Sequence, residues 1–272
     1  MGRTARARGR SAGLGQPHVP TGRRALGAVA ERRRLRPRGR EGAAGAAVPR
    51  TTARRRAART ARARRPRERV PFPWSVRRWI DGTVALRAVG LDRRAFAADV
   101  AAVLRQLRAI PAGDGPIAGA HSFHRGTHPS YYASDVVAAL DRLGGAVDRR
   151  ACERVWEQAV ATTWEGPGVW FHGDVAPGNL LVDDHGRLAA LIDFGTCGVG
   201  DPACDLVLAW TFLDEGGRRV FRDAVGLDVG TWARARGWAL WKSLIMLAGS
   251  AGPGDRAEHE AVLATVLADP VA

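Results

Sequence analysis

Lysine and cysteine are scarce in this sequence. Only one of its 42 basic residues is a lysine, Lys242. The three cysteines include no Cys-x-x-Cys pair and are odd in number, which argues against a disulfide framework or a cysteine-based zinc site and favours a reducing, cytoplasmic location. No apolar core of about 7–15 residues follows Met1, so we expect no secretory signal. The cysteines are Cys152, Cys197 and Cys204.

Aromatic residues are missing from the first 70 positions, and all 18 lie after residue 70. Residues 1–70 hold 22 arginines and three acidic residues, a net charge of +19, which leaves the rest of the chain at −4. This segment is rich in Arg, Ala, Gly and Pro and poor in large apolar residues, a composition that predicts disorder. Alanine and arginine favour a transient helix around Thr51–Arg64. The acidic remainder argues against a basic nucleic-acid-binding domain in the body of the chain.

Three interpretations of this Arg-rich segment stay open. It could be a basic arm that binds RNA, DNA or anionic lipid without specificity, although it lacks the aromatic side chains on which bases stack. It could be an Arg-rich targeting peptide, although serine is scarce. It could also have no selected function, because GC-rich DNA read in a wrong frame or from a wrong start gives this mixture of residues. The composition favours the third interpretation.

Residues 71–272 have the apolar periodicity of a folded lobe. A short strand or linker is predicted at Trp74–Ile80. Helices are predicted over 92–109 with Asp92 as N-cap, from Ser134 to Leu143, and over 148–160 with Asp148 as N-cap. Short strands follow at 169–171, 180–182 and 188–192, the last two joined by a turn. Later helices are predicted over 203–212, 218–225, 232–248 and 258–267.

These patterns predict an α+β fold in two parts. Residues 1–70 form the disordered Arg-rich segment, and residues 71–272 form a mostly helical lobe around a small β-hairpin. The apolar stretch at 238–248 is too short to span a bilayer, so we expect no membrane contact. Trp232, Trp238 and Trp241 are expected in the core because they lie near helical spacing, and Tyr131 and Tyr132 are expected to pack.

Two polar motifs flank the predicted hairpin. The first reads His172-Gly173-Asp174, with Asn179 five residues after Asp174, and the second reads Asp193-Phe194-Gly195. The hairpin returns Asp193 beside Asn179, and hard oxygen ligands of this kind suit Mg²⁺. Asp174 is then free to accept the proton of a hydroxyl group and to orient that oxygen toward a phosphorus atom. The two motifs together therefore indicate phosphoryl transfer.

The stretch FHGDVAPGNLLVDDHGRLAALIDFGTCGVGDPACDLVLAW, residues 171–210, resembles the aminoglycoside phosphotransferase (choline-kinase-like) family of the protein-kinase-like fold. Residues 72–82 more loosely resemble the hinge between the two lobes of such kinases. The resemblance implies that Asp174 is the catalytic base and that Asn179 and Asp193 bind Mg²⁺. It also implies that ATP is a co-substrate and that the acceptor is a hydroxyl group of a small molecule, aminoglycoside-like or other, so antibiotic resistance is one expected role.

The same resemblance assigns supporting roles. His172 would be structural and support the catalytic loop, and Asp205 would hydrogen-bond the backbone of that loop. The hinge backbone at Arg78, Trp79 and Ile80 would bind the nucleotide. Asp201, before Pro202, could equally be only a helix N-cap with no role in the site.

The sequence departs from the family at its first lobe, where such kinases carry a lysine that binds the α- and β-phosphates. Lys242 lies far along the chain in a predicted helix and cannot be that lysine, so the Arg-rich segment is expected in place of the small lobe. Three functions therefore stay open: a small-molecule kinase, a catalytically inactive kinase-like fragment that acts at most as a binding protein, and nucleic-acid binding through residues 1–70.

The acceptor could be a polycation if acidic side chains line a pocket. The sequence favours a solvated charge on a helix face for each candidate. The histidine-rich stretch around His121, His124 and His128 has no metal-ligand spacing. The acidic candidates are Asp214, Glu215, Asp223, Asp228, Glu258 and Glu260.

Overall fold

The computed structural model describes residues 26–29, 60–64, 74–249 and 253–269. They divide into two compact units, and the boundary along the continuous part of the chain falls between Trp79 and Ile80. No helix within the described residues is long and apolar enough to cross a membrane.

The first unit contains a three-stranded antiparallel sheet built from β1 (Leu26–Val29), β2 (Thr60–Arg64) and β3 (Trp74–Arg78). β3 lies in the centre, with Leu26 opposite Arg78 and Arg64 opposite Trp74. The strand expected at Trp74–Ile80 is confirmed up to Arg78. The prediction of a helix around Thr51–Arg64 is wrong over Thr60–Arg64, where pairing with β3 outweighs the local helix propensity. Residues 1–25, 30–59 and 65–70 lie outside the described residues.

The second unit holds two small antiparallel sheets and the described helices. β6 and β7 form the predicted hairpin, which β4 extends at one edge, while β5 pairs with β8. The strands are β4 (Thr83–Val84), β5 (Val169–Phe171), β6 (Leu180–Val182), β7 (Leu188–Leu191) and β8 (Gly198–Gly200). The helices are α1 (Arg93–Arg108), α2 (Ala133–Leu143), α3 (Arg149–Val160), α4 (Leu208–Thr211), α5 (Glu215–Val225), α6 (Val229–Ala248) and α7 (Pro253–Ala268).

Helix starts follow the capping chemistry of the sequence in most places. Asp92 accepts hydrogen bonds from the amides of Arg94 and Ala95, and Asp148 accepts one from Ala151, so both predicted N-caps are confirmed. The N-cap predicted at Ser134 is wrong. The helix α2 continues directly from a 3₁₀ turn over Pro129–Tyr132, and its first residue is already Ala133.

The core joins α1, α6 and the hairpin. Trp232, Trp238 and Trp241 are buried in it, as expected. Tyr131 is 54% exposed but stacks on His124 with ring centroids 3.6 Å apart, and Tyr132 packs on Trp241 with centroids 4.2 Å apart, so the packing expectation is confirmed for both. Aromatic rings at this distance gain about 0.5–1.5 kcal/mol beyond their buried area.

The hairpin is fixed to α1 by a buried carboxylate. Asp99 is nearly fully buried and accepts two hydrogen bonds from the Arg187 guanidinium, at 2.8 and 2.7 Å, and one from the Leu188 amide at 3.1 Å. A bidentate guanidinium–carboxylate pair constrains direction as well as distance. The strand that leads to Asp193 therefore starts from a fixed position.

Candidate active site

The catalytic loop predicted from the sequence follows β5, and the side chain of Asp205 binds its backbone amides. The amide of His172 donates to one Asp205 carboxylate oxygen and the amide of Gly173 donates to the other, each at 2.7 Å. Asp205 is 3% exposed and lies in a 3₁₀ turn over Pro202–Leu206. Burial raises the pKa of its carboxyl, and His172 and the two amides oppose that effect.

His172 is fully buried, and both ring nitrogens are engaged. Its Nδ1 accepts a hydrogen bond from the Asp174 amide at 3.2 Å, so the ring proton lies on Nε2, which donates to the Ile192 carbonyl at 2.9 Å. The Phe194 ring packs edge-on against the imidazole, with centroids 4.6 Å apart. The histidine therefore joins the loop that carries Asp174 to the loop that carries Asp193.

Asn179 is oriented by Asp174. Its Nδ2 donates to the Asp174 carbonyl at 2.9 Å and to the Asp174 carboxylate at 3.0 Å. Because the amide nitrogen is engaged on that side, the amide oxygen Oδ1 is the atom left to bind a cation. The Asp174 side chain is exposed, so a second molecule can reach its carboxylate.

Asp193 stands at the far end of the hairpin, beside Asn179. Leu180 pairs with Leu191, and the Ile192 amide donates to the Asn179 carbonyl at 2.9 Å. Asp193 has a φ of 63°, a left-handed conformation that is costly for a residue with a β-carbon and that concentrates at functional sites. The fold therefore brings the two predicted Mg²⁺ ligands to neighbouring positions and holds the second one in a strained backbone conformation.

The donor set fits a magnesium ion. A carboxylate and an amide oxygen are hard ligands, and Mg²⁺ in nucleotide sites takes one or two of them together with phosphate oxygens and water. Asp174 and Asp193 form no ion pair with a basic side chain among the described residues. The described residues contain no group of three His, Cys, Asp or Glu that could hold a metal ion.

The remaining candidates take other positions. Asp214 and Asp228 are N-caps of α5 and α6, and Glu215 and Glu260 pair with arginines four residues away on exposed helix faces. This supports the interpretation of these four residues as helix caps and surface charges. Asp223 and Glu258 are exposed.

The predicted hinge residues straddle the boundary between the two compact units. Arg78 ends β3, and Trp79 and Ile80 stand on either side of that boundary. Their contact with a nucleotide stays a prediction.

The histidine-rich stretch makes separate contacts. His121 Nε2 lies 3.2 Å from the Cys197 carbonyl, His124 stacks on Tyr131, and His128 Nε2 lies 3.0 Å from the Thr162 carbonyl. The three rings thus serve different parts of the fold and do not converge on one point.

Sequence reasoning missed one buried ion pair. Arg234, in α6, is fully buried and contacts Asp201 at 2.6 Å. A signal was present, because Arg234 stands four and seven residues before Trp238 and Trp241 and so shares their apolar stripe. A charged residue on such a stripe requires a buried partner. Asp201 also accepts a hydrogen bond from the Ala203 amide, so it is an N-cap as well.

Comparison with known proteins identifies the family. The family model described as "Phosphotransferase enzyme family" matches residues 17–238. The chain belongs to this phosphotransferase family. The match begins inside the Arg-rich segment, where the sequence pattern had shown no resemblance, and it ends within α6.

Individual relatives are distant. The uncharacterized protein YcbJ of Bacillus subtilis is 35% identical over 85 residues, which are 30% of this chain, so the match spans only 27% of that relative. The solved GDP and kanamycin complex of APH(2")-IIIa has a TM-score of 0.53 and 15% identity over 78% of this chain and 73% of its own. The GDP complex of an aminoglycoside 2'-phosphotransferase-IIIa mutant has a TM-score of 0.51 and 18% identity over 78% and 72%. These two structures show that the chain shares their fold.

Proposed function

We propose that this phosphotransferase transfers the γ-phosphate of ATP to a hydroxyl group of a small molecule. The observation that carries the proposal is the arrangement around Asn179, whose Nδ2 is held by Asp174 while its carbonyl pairs with the residue before Asp193. This arrangement supports a division of roles between the exposed Asp174 carboxylate, for the acceptor, and Asn179 with Asp193, for the metal ion.

The roles of the residues follow from their contacts. Asp174 orients the acceptor hydroxyl and takes its proton, since its carboxylate is exposed and its backbone is fixed through His172 and Asp205. Asn179 Oδ1 and the Asp193 carboxylate would hold Mg²⁺, which when bound neutralises charge on the phosphate oxygens. A positioned general base contributes about 10²–10⁴-fold to the rate.

The acceptor class is open within hydroxyl compounds. Kanamycin is bound by one structural neighbour, but its 15% identity carries the fold alone. The neighbours named above are GDP complexes, so the thermal measurement described below is repeated with Mg²⁺-GTP in place of Mg²⁺-ATP.

A second candidate is a kinase-like lobe that binds nucleotide without transferring phosphate. The observation in its favour is the lysine content, because the sole lysine, Lys242, lies on α6 in the second unit. A kinase that lacks the phosphate-binding lysine loses charge stabilisation in the transition state, where electrostatic terms are usually the largest.

Two measurements together separate these candidates, and the first tests nucleotide binding. Thermal unfolding is measured with and without Mg²⁺-ATP for the parent chain, for Asp193→Ala and for Asp184→Ala, a control at an exposed acidic residue in the turn of the same hairpin. A ligand at a hundredfold excess over its Kd stabilises by about 2.7 kcal/mol. We expect the shift in the parent and in Asp184→Ala and its loss in Asp193→Ala.

Turnover is then measured as ADP release with a panel of hydroxyl compounds that includes kanamycin. Asp174→Asn keeps an acceptor for Asn179 Nδ2, so it should retain the thermal shift and lose at least a hundredfold in kcat. A thermal shift without turnover on any acceptor would support the binding candidate. No shift in a chain that unfolds cooperatively would contradict both.

A further inference from the structure

We infer that Arg234 is a positioning residue for the catalytic loop and acts through Asp201. Its guanidinium is fully buried, and each of its nitrogens donates a hydrogen bond. Nε donates to the Asp201 carboxylate at 2.6 Å, and Nη1 donates to the Thr162 hydroxyl at 3.2 Å. Nη2 donates to the Thr231 hydroxyl at 3.0 Å and to the Asp201 carboxylate at 3.4 Å. A planar guanidinium bound at all three nitrogens has little freedom to rotate.

Asp201 carries this constraint to the start of the 3₁₀ turn. One carboxylate oxygen accepts the Ala203 amide at 3.0 Å, and the Asp201 amide donates to the Gly126 carbonyl at 2.8 Å. Asp205 lies four residues further along the same turn, which is about 8 Å at the rise of a 3₁₀ helix. The turn is thus bound to α6 at its N-cap, Asp201, and Asp205 lies near its other end.

The catalytic loop depends on where that second carboxylate stands. His172 and Gly173 each bind an Asp205 oxygen at 2.7 Å, and the next residue is Asp174. Catalytic groups must be held within about 0.5 Å of their productive position. A small displacement of the turn would therefore lengthen both hydrogen bonds and move Asp174.

Stability alone does not explain the ion pair. A buried pair is often replaced by apolar residues of similar volume with little or no loss of stability, because removing two charges from water is costly. Arg236 offers a comparison on the same helix. It is 6% exposed, and its guanidinium donates to the carbonyls of Val266 and Leu267 in α7, so it holds α7 and makes no contact with the turn.

The test compares two variants of the full chain. Asp201→Asn with Arg234→Met removes both charges and keeps an acceptor for the Ala203 amide. Arg236→Met removes a buried arginine from the same helix. Amide hydrogen exchange is followed by NMR at His172 and Gly173 and, as an internal reference, in the middle of α1.

The quantity compared is the ratio of the exchange rates at His172 and Gly173 to the rate in the middle of α1. We expect this ratio to rise at least tenfold in the double variant and to stay at the parent value in Arg236→Met. If the double variant does not fold, Arg234→Lys replaces it. A lysine cannot reach Asp201, Thr162 and Thr231 together, so the ratio should rise by at least threefold. An unchanged ratio in the folded variant, or an equal rise in Arg236→Met, would overturn the inference.

A second readout rests on the proposed function. In a chain that releases ADP in the presence of an acceptor, the double variant should lower kcat at least tenfold and leave the KM for ATP within about twofold, while Arg236→Met leaves both near parent values. A fall in KM and kcat that is the same in both variants would contradict positioning. The exchange measurement needs no turnover, so a parent chain without activity would count against the proposed function and not against the role of Arg234.

Discussion

Replacement of Asp205 by alanine tests whether this side chain holds the catalytic loop. In the structure its two carboxylate oxygens accept the amides of His172 and Gly173, each at 2.7 Å, in a fully buried setting. Asp205→Ala removes both acceptors. Two buried amides then have no partner.

The expected loss of stability is about 4 kcal/mol, since each buried amide left unpaired costs about 1–3 kcal/mol. Against a total of about 5–15 kcal/mol for a typical domain, such a loss is easily measured. Burial raises the pKa of the Asp205 carboxyl, which means that the ionised group bears a desolvation cost. Relief of that cost in the variant keeps the estimate at the middle of the range and not at its top.

The assay is urea unfolding followed by tryptophan fluorescence at pH 7. Asp141→Ala is the control, because Asp141 pairs with Arg149 on the surface and such exposed pairs contribute about 0–1 kcal/mol. A loss below about 1 kcal/mol for Asp205→Ala, or a loss equal to that of the control, would refute the view that these two hydrogen bonds fix the loop.

Three further predictions concern the described residues. Burial lowers the pKa of His259 below 6.5, so the folded state binds fewer protons than the unfolded state just below that pH and stability falls on acidification; His259→Gln should lose less Tm between pH 7.5 and 5.5 than the parent. Burial raises the pKa of Cys152 to about 11, so a thiol reagent should modify it slowly at pH 7 until the chain is unfolded. A β-carbon at Gly126, whose φ is +81°, would overlap the Phe171 ring, so Gly126→Ala should lower the unfolding free energy by about 3 kcal/mol or more; Gly186→Ala, at φ +71° in open space, should cost only about 1 kcal/mol.

Local features of the fold could be predicted from the sequence. The hairpin could be predicted because two short apolar runs and the turn between them lie within a dozen residues. Asp92 and Asp148 could be predicted because an N-cap acts on amides two or three positions away. The start of α2 could not, because the 3₁₀ turn over Pro129–Tyr132 leads directly into Ala133 and no side chain caps the helix. Strand β2 was missed because Thr60–Arg64 consists mostly of Ala and Arg, which favour a helix, and only its pairing with β3 makes it a strand.

The residues of the candidate site also differ in how far apart in the sequence their partners lie. Asp174, Asn179 and Asp193 could be found because their spacing is short and the hairpin fixes how they meet. The pair of Arg234 and Asp201 spans 33 positions, and no local pattern says which carboxylate a buried arginine will meet. Only the apolar stripe around Arg234 pointed to a buried partner.

Exposure separates two kinds of residue at the site. Asp174 and Asp193 are exposed, whereas His172, Asp205 and Arg234 are buried and bind backbone or other buried groups. Exposed carboxylates have no packing to hold them, so their positions depend on the backbone on which they stand. That backbone is held by hydrogen bonds to the buried side chains of His172 and Asp205. The turn that carries Asp205 is bound to α6 through the contact of Asp201 with Arg234. Under the proposed function, a substitution in α6 should therefore alter phosphoryl transfer without contact with nucleotide or acceptor, and its effect should be the same for every acceptor. A change in an acceptor-binding residue should affect some acceptors more than others.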